Sequence, residues 1–235
     1  MTRNTSLLHL FLLGALAFGF ESTGNAAEFS IARIYIEYNA SGNDLGYHVS
    51  LDGEDWRSLK IVNPDRKTLF EVAGKGAYKE LGMTELFFEG AEPSLADFPL
   101  KDLLALFPEG KYQFIGTTVD NERLASTATL SHAVPDGPLV SSRIDDGTVI
   151  ISWDPVTRTP AGFPVRDINI VGYQVIVVTA NAFQTTIPPP GTSVRVPKEF
   201  FQSLEAGVHP FEVLAIDVSG NQTLTEGTFI KTGRE

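Results

Sequence analysis

Short runs of alternating apolar and polar residues, broken by turn residues, recur along most of this chain. The pattern is clearest from Pro138 to Lys231. Val149 to Trp153, Ile170 to Val178, Thr192 to Val196, Phe211 to Val218 and Thr223 to Ile230 follow one another there, with Gly, Pro, Asn and Asp between them. Alternation at period 2 sends one face of a strand into a core, and several short strands at this spacing predict an antiparallel β-sandwich. Upstream, Ile31 to Tyr38, Tyr47 to Leu51, Trp56 to Val62, Thr68 to Val72, Leu86 to Glu89, Tyr112 to Val119 and Leu124 to His132 also read as strands. Asp52-Gly53 reads as a hairpin turn. One helix is predicted, because Leu100, Leu103, Leu104 and Phe107 fall at i, i+3, i+4 and i+7. Ser94 or Asp97 precedes it as a cap, Pro108-Glu109-Gly110 ends it, and it is expected over an open sheet edge.

The fold class that follows is mainly β, with two tandem β-sandwich domains. The first covers 28–132 and carries the short helix; the second covers 139–232. Pro135 and Pro138 make the linker, 133–138, short and stiff, which sets the domains end to end. Ahead of them, Arg3, the apolar block Leu7 to Phe20 and the small residues around Ala26-Ala27 predict a cleaved signal peptide over 1–27. The block is shorter than the roughly 20 residues a membrane span needs.

Cysteine is absent and the net charge is -11. Zero cysteine excludes a disulfide scaffold and an acylated N-terminus. It leans toward a bacterial protein, secreted or periplasmic. There is no sortase-type motif and no apolar C-terminal tail, so the mature protein is expected to have no membrane attachment. The acidic balance, with no basic run among aromatics, excludes nucleic acid and anionic membrane as partners.

The second half resembles a fibronectin type III domain, of the kind carried by exported bacterial proteins. The residues that carry this are Trp153, Gly172-Tyr173-Gln174-Val175, Leu204-Glu205-Ala206-Gly207, Phe211 to Asp217 and Ser219-Gly220-Asn221. The resemblance implies an immunoglobulin-like sandwich. It departs from the family where a tyrosine usually opens the sixth strand; His209 stands there, followed by Pro210, so the corner hydrogen bond is not carried over. The first half resembles segments found beside such modules, through Leu51-Asp52-Gly53, Trp56, Asn63-Pro64, Leu81 to Leu86 and Phe107 to Tyr112. That resemblance implies no activity.

No HExxH, GxSxG, Walker or GxGxxG pattern occurs, and the reading assigns no catalytic residue, no cofactor and no metal. His48, His132 and His209 stand apart in sequence. Gly74-Lys75-Gly76 reads as a turn, and Pro188-Pro189-Pro190-Gly191 as a rigid loop. Asp52, Glu54 and Asp55, or Glu85, Glu89 and Glu92, offer carboxylates to a small hydrolase, though their spacing selects no pair. Asn39, Ser41, Asn43 and Asp44 have the ligand types of a calcium loop but lack the EF-hand glycine and terminal glutamate. Asn39-Ala40-Ser41 and Asn221-Gln222-Thr223 are sequons in form. Tyr35, Tyr38, Tyr47 and Trp56 are candidates for stacking on sugars, as in an accessory carbohydrate-binding module.

Packing supplies the main functional expectation. Tyr173, Val175, Val177, Phe211, Val213 and Ala215 should point inward on two neighbouring strands. Ile176, Val178, Leu214 and Ile216 then form an outward apolar patch, expected to meet a protein partner or a second copy, or to be covered within the chain. The expected function is an exported, non-enzymatic binding or spacer protein.

Overall fold

The protein was analysed as a computed structural model that describes residues 26–179 and 182–233. Apart from Ala26 and Ala27, the expected signal peptide lies outside the described residues. In chain order the elements are β1 Ile31–Asn39, β2 Asp44–Val62, β3 Thr68–Ala73, α1 Ala77–Leu81, β4 Met83–Glu89, α2 Leu100–Leu106, β5 Gly110–Thr118 and β6 Arg123–Leu130. They continue with β7 Val140–Asp145, β8 Thr148–Trp153, β9 Ile170–Val177, β10 Phe183–Ile187, β11 Ser193–Arg195, α3 Lys198–Ser203, β12 Gly207–Asp217 and β13 Gln222–Lys231. The fold is mainly β.

The C-terminal half is a β-sandwich of two sheets around one core. A three-stranded sheet, β11-β8-β7, packs on β10-β9-β12-β13. The inward residues form one core: Val149, Ile151 and Trp153 from β8 meet Tyr173, Val175 and Val177 from β9, and Phe211, Val213 and Ala215 from β12. Their alternation with polar neighbours is what drives these strands to pair, since each buried aliphatic side chain contributes about 1.5–3 kcal/mol. The Trp153 and Tyr173 rings lie 5.3 Å apart, and the Tyr173 hydroxyl accepts a hydrogen bond from Val156 N at 2.8 Å. His209 lies near the start of β12. Its Nε2 lies 2.8 Å from the Glu205 carbonyl four residues upstream, and its ring stacks on Phe229.

The N-terminal half is organised by β2, which runs for 19 residues. The expected hairpin at Asp52-Gly53 is absent; the two strands read there are one strand. β2 lies beside β1 and β4 as far as Asp52, meets β4 once more at Trp56–Met83 after a shift of register, and lies beside β5 from Trp56 and β3 from Ser58 onward. Such an irregularity bends a strand without ending it. Gly53 permits it by close approach, because a Cβ there would sit 3.0 Å from the Phe29 ring. The helix α2 begins after Pro99 and buries Leu103 in the first core, where the Tyr47 hydroxyl donates to the Leu103 carbonyl at 3.2 Å. A turn of helix, α1, follows Gly74-Lys75-Gly76.

The two halves keep separate hydrophobic cores, one around Trp56, Tyr112 and Phe114, the other around Trp153, Tyr173 and Phe211. They nevertheless share one sheet. β1 pairs in parallel with β13 at Glu37–Gln222, Tyr38–Thr223 and Asn39–Leu224. The result is a ten-stranded sheet ordered β10-β9-β12-β13-β1-β2-β5-β6, with β3 and β4 also on β2.

Candidate functional site at the junction of the two cores

The segment expected as a linker is not a solvent-exposed tether. Ala133 is 8% exposed and Val134 is fully buried. The side chain of Asn221, in the turn before β13, lies beneath it. Its Nδ2 donates to the carbonyls of Ser131 at 2.8 Å and Ala133 at 3.1 Å, while its Oδ1 accepts from Ile36 N on β1 at 2.8 Å. One amide thus ties β1, the connecting segment and β13 together. The Thr223 hydroxyl donates to the Pro135 carbonyl beside it. Asn221 is 1% exposed, so its sequon is closed to modification in the folded chain.

The long loop from Pro155 to Asp167 adds two further ties. Phe163 is buried in the first core, its ring 4.8 Å from that of Tyr38. Arg166 forms a 2.9 Å ion pair with Glu109, which also accepts from His132 N at 2.6 Å. These donors, the Arg166 bond first, hold the Glu109 carboxyl below its ordinary range. Asn39 Nδ2 donates to Glu226 Oε1 at 3.1 Å, and Glu226 N donates to Ser41 Oγ at 2.9 Å.

On the same junction, the outer face of the sheet carries a cluster of a histidine and three glutamates. Tyr35, His48 and Glu89 lie side by side across β1, β2 and β4, because Tyr35 pairs with His48 and His48 with Glu89. Glu37, two residues from Tyr35, points to the same face, opposite Gly46. Gly46 has no side chain, and Glu92 lies in that space; a Cβ on Gly46 would sit 2.7 Å from Glu92 Cγ. His48 Nε2 is 3.4 Å from Glu89 Oε1 and 3.9 Å from Glu37 Oε1. Gln222 on β13 donates its amide to Glu37 Oε2.

His48 is buried although it faces outward. The Tyr35 ring stacks on it at 4.9 Å, and Phe87 lies 5.8 Å away on the other strand. Neither ring nitrogen has a hydrogen-bond partner among the described residues. The Glu92 carboxyl is pushed up to about 7, first by burial, then by its hydrogen bond with Glu89 and the charges of Glu89, Glu37 and Asp44. The Tyr35 hydroxyl is raised by burial and then by Glu37 and Glu89.

The remaining candidates fall elsewhere. Val178 is 42% exposed, Ile176 and Ile216 are half-buried, and Leu214 is 4% exposed. Leu214 therefore does not belong to an exposed patch. It lies on an interior strand between Gln174 and Leu224, and β1 extends the sheet beyond β13. Of the aromatics offered to sugars, Trp56, Tyr47 and Tyr38 are buried in the first core, and the Tyr35 ring is stacked on His48. In the Asn39–Asp44 turn, Asn39 Oδ1 accepts from Ser41 N and Gly42 N, and Asn43 Oδ1 from the Tyr38 hydroxyl. The turn's own hydrogen bonds use these oxygens. Asp52 and Glu85 pair across β2 and β4, away from Glu89 and Glu92.

No protein-family model matches this chain, and no curated protein matches it. Solved structures show distant likenesses. The tetra-tandem repeat in the extending region of a large adhesion protein is 13% identical, with 85% of this chain and 49% of that one covered, at a TM-score of 0.31. The fibronectin(III)-like modules of Clostridium thermocellum CbhA are 9% identical over 86% of this chain and 94% of theirs, at 0.30. The Clostridium perfringens spore cortex lytic enzyme SleM is 18% identical over 41% of this chain and 28% of its own length, at 0.32. The chain spans less than half the length of the first and third of these. None of the likenesses assigns it a function. Among the described residues, no helix is long and apolar enough to cross a membrane.

Proposed function

We propose that the protein is an exported, non-enzymatic spacer and binding protein. Its two β units, 28–132 and 139–232, are held at a fixed separation and orientation. The observation that carries this reading is Asn221, a buried amide that bonds β1, the connecting segment and, through its own backbone, β13. Interfaces between domains of one chain ordinarily leave relative motion open unless they are extensive. Here a shared sheet, a buried phenylalanine and a buried amide all cross the same boundary. A spacer needs that stiffness. Contacts with a protein partner are assigned to the outer face of β9 and β12, at Ile176, Val178 and Ile216.

Small-angle X-ray scattering of the purified protein tests the reading. The expected curve is that of one rigid body, unchanged between low and high salt. A curve requiring two bodies that move independently contradicts it.

A further inference from the structure

Glu37, His48, Glu89 and Glu92 offer four ligand atoms that all lie within 4.8 Å of one another. We propose that these four residues bind a divalent first-row transition metal ion of the zinc type.

Geometry comes first. Nitrogen and oxygen ligands about 2.1 Å from a tetrahedral ion stand about 3.4 Å apart. His48 Nε2 and Glu89 Oε1 already have that separation, at 3.4 Å, and Glu37 Oε1 is 3.9 Å from the same nitrogen. The site is drawn from three places that the sheet holds in register, namely β1, β2 and the end of β4, with Glu92 from the loop beyond.

His48 supplies the independent observation. Its side chain is 7% exposed and reaches into the cluster, yet both ring nitrogens lack a hydrogen-bond partner among the described residues. Buried polar groups are nearly always satisfied, and each exception calls for an explanation. A bound metal ion satisfies the nitrogen that faces the carboxylates.

The surrounding chemistry agrees. Among the described residues, no lysine or arginine forms an ion pair with Glu37, Glu89 or Glu92. Three acidic groups therefore converge on one imidazole with no cationic side chain paired to them. Gln222, which donates to Glu37, and Tyr35, stacked on His48, hold two ligands in place as supporting partners. The imidazole selects transition ions over calcium and magnesium, which prefer oxygen alone. The rival arrangement is an imidazolium held between Glu37 and Glu89 with no metal, and in either arrangement Nδ1 is without a hydrogen-bond partner among the described residues.

Isothermal titration of tag-free, chelator-treated protein with Zn²⁺ and with Ca²⁺ distinguishes the two. The expected result is a single zinc per chain, with millimolar Ca²⁺ failing to compete. Glu92→Gln, in a loop where it cannot unfold the sheet, weakens zinc by at least about tenfold, the loss usual even for a supporting partner of a ligand. Glu85→Gln, a strand carboxylate outside the cluster, leaves the affinity unchanged. Zinc also raises the melting temperature of the parent protein, and at the same zinc concentration raises that of Glu92→Gln by less. Absence of zinc binding, equal binding of calcium, or an affinity indifferent to Glu92→Gln overturns the proposal.

Discussion

Replacing Asn221 by alanine should separate the two halves energetically. The wild-type amide makes three hydrogen bonds, to Ile36 N at 2.8 Å and to the Ser131 and Ala133 carbonyls at 2.8 and 3.1 Å, in a site that is 1% exposed. Truncation leaves one buried N–H and two carbonyls without that partner. An unsatisfied buried group costs about 1–3 kcal/mol, and carbonyls with other partners lose less, so a total of about 3–4 kcal/mol is expected. For a chain of this length, that lowers the melting temperature by about 10 °C. Each core holds one tryptophan, Trp56 in the first and Trp153 in the second. Urea unfolding of Trp56→Phe and Trp153→Phe variants therefore reports each core alone. With Asn221 intact the two transitions should coincide, as coupled units do. With Asn221→Ala they should move to lower urea and split. Asn221→Asp should be no better, since it sets a carboxylate oxygen against two carbonyls. A loss below about 0.5 kcal/mol, the range of ordinary surface changes, would refute the reasoning.

The other predictions concern neighbouring contacts. Phe163→Ala removes the loop's anchor in the first core and should cost up to about 3 kcal/mol in urea unfolding followed through Trp56. His209→Phe keeps the stack on Phe229 but loses the bond to Glu205, for about 1 kcal/mol, and His209→Tyr should restore it. Because burial and Glu89 raise the Glu92 carboxyl from 4.5 to about 7, its ionisation opposes folding. The stability it contributes below pH 4.5 is lost as pH rises through 7. Discounted for exposure, that loss is about 1 kcal/mol in metal-free protein, and Glu92→Gln should flatten it. If the face of β9 and β12 joins two copies, Ile176→Lys should convert a dimer into a folded monomer by light scattering, whereas an unchanged mass leaves that face to another protein.

Much of the fold is legible in the sequence, because alternation reports the half-buried strand directly. Tyr173, Val175, Val177, Phe211, Val213 and Ala215 all point into the core that the pattern predicts. What alternation does not report is continuity. Asp52-Gly53 looks the same whether the chain turns back or bends, and only the partners of β2 decide. Short helices such as α1 and α3 give too few turns for a period to show. The parallel pairing of β1 with β13 joins residues 185 positions apart, and no local pattern signals it. The same limit hid the candidate site. Glu89 and Glu92 stand out in sequence as carboxylates, but Glu37 and His48 join them only through the register of three strands. Asn221 looked like a loop residue or a sequon, and its role rests on what lies above it in space.

The most direct test of a rigid junction uses the chain's lack of cysteine, which lets spin labels be placed at will. Glu71 on β3 and Gln184 on β10 are exposed and lie in different halves. Pulsed electron paramagnetic resonance on the Glu71→Cys/Gln184→Cys variant should give one narrow distance distribution, centred on the separation in the structure, and Asn221→Ala should broaden it. A broad distribution with Asn221 in place would contradict the account.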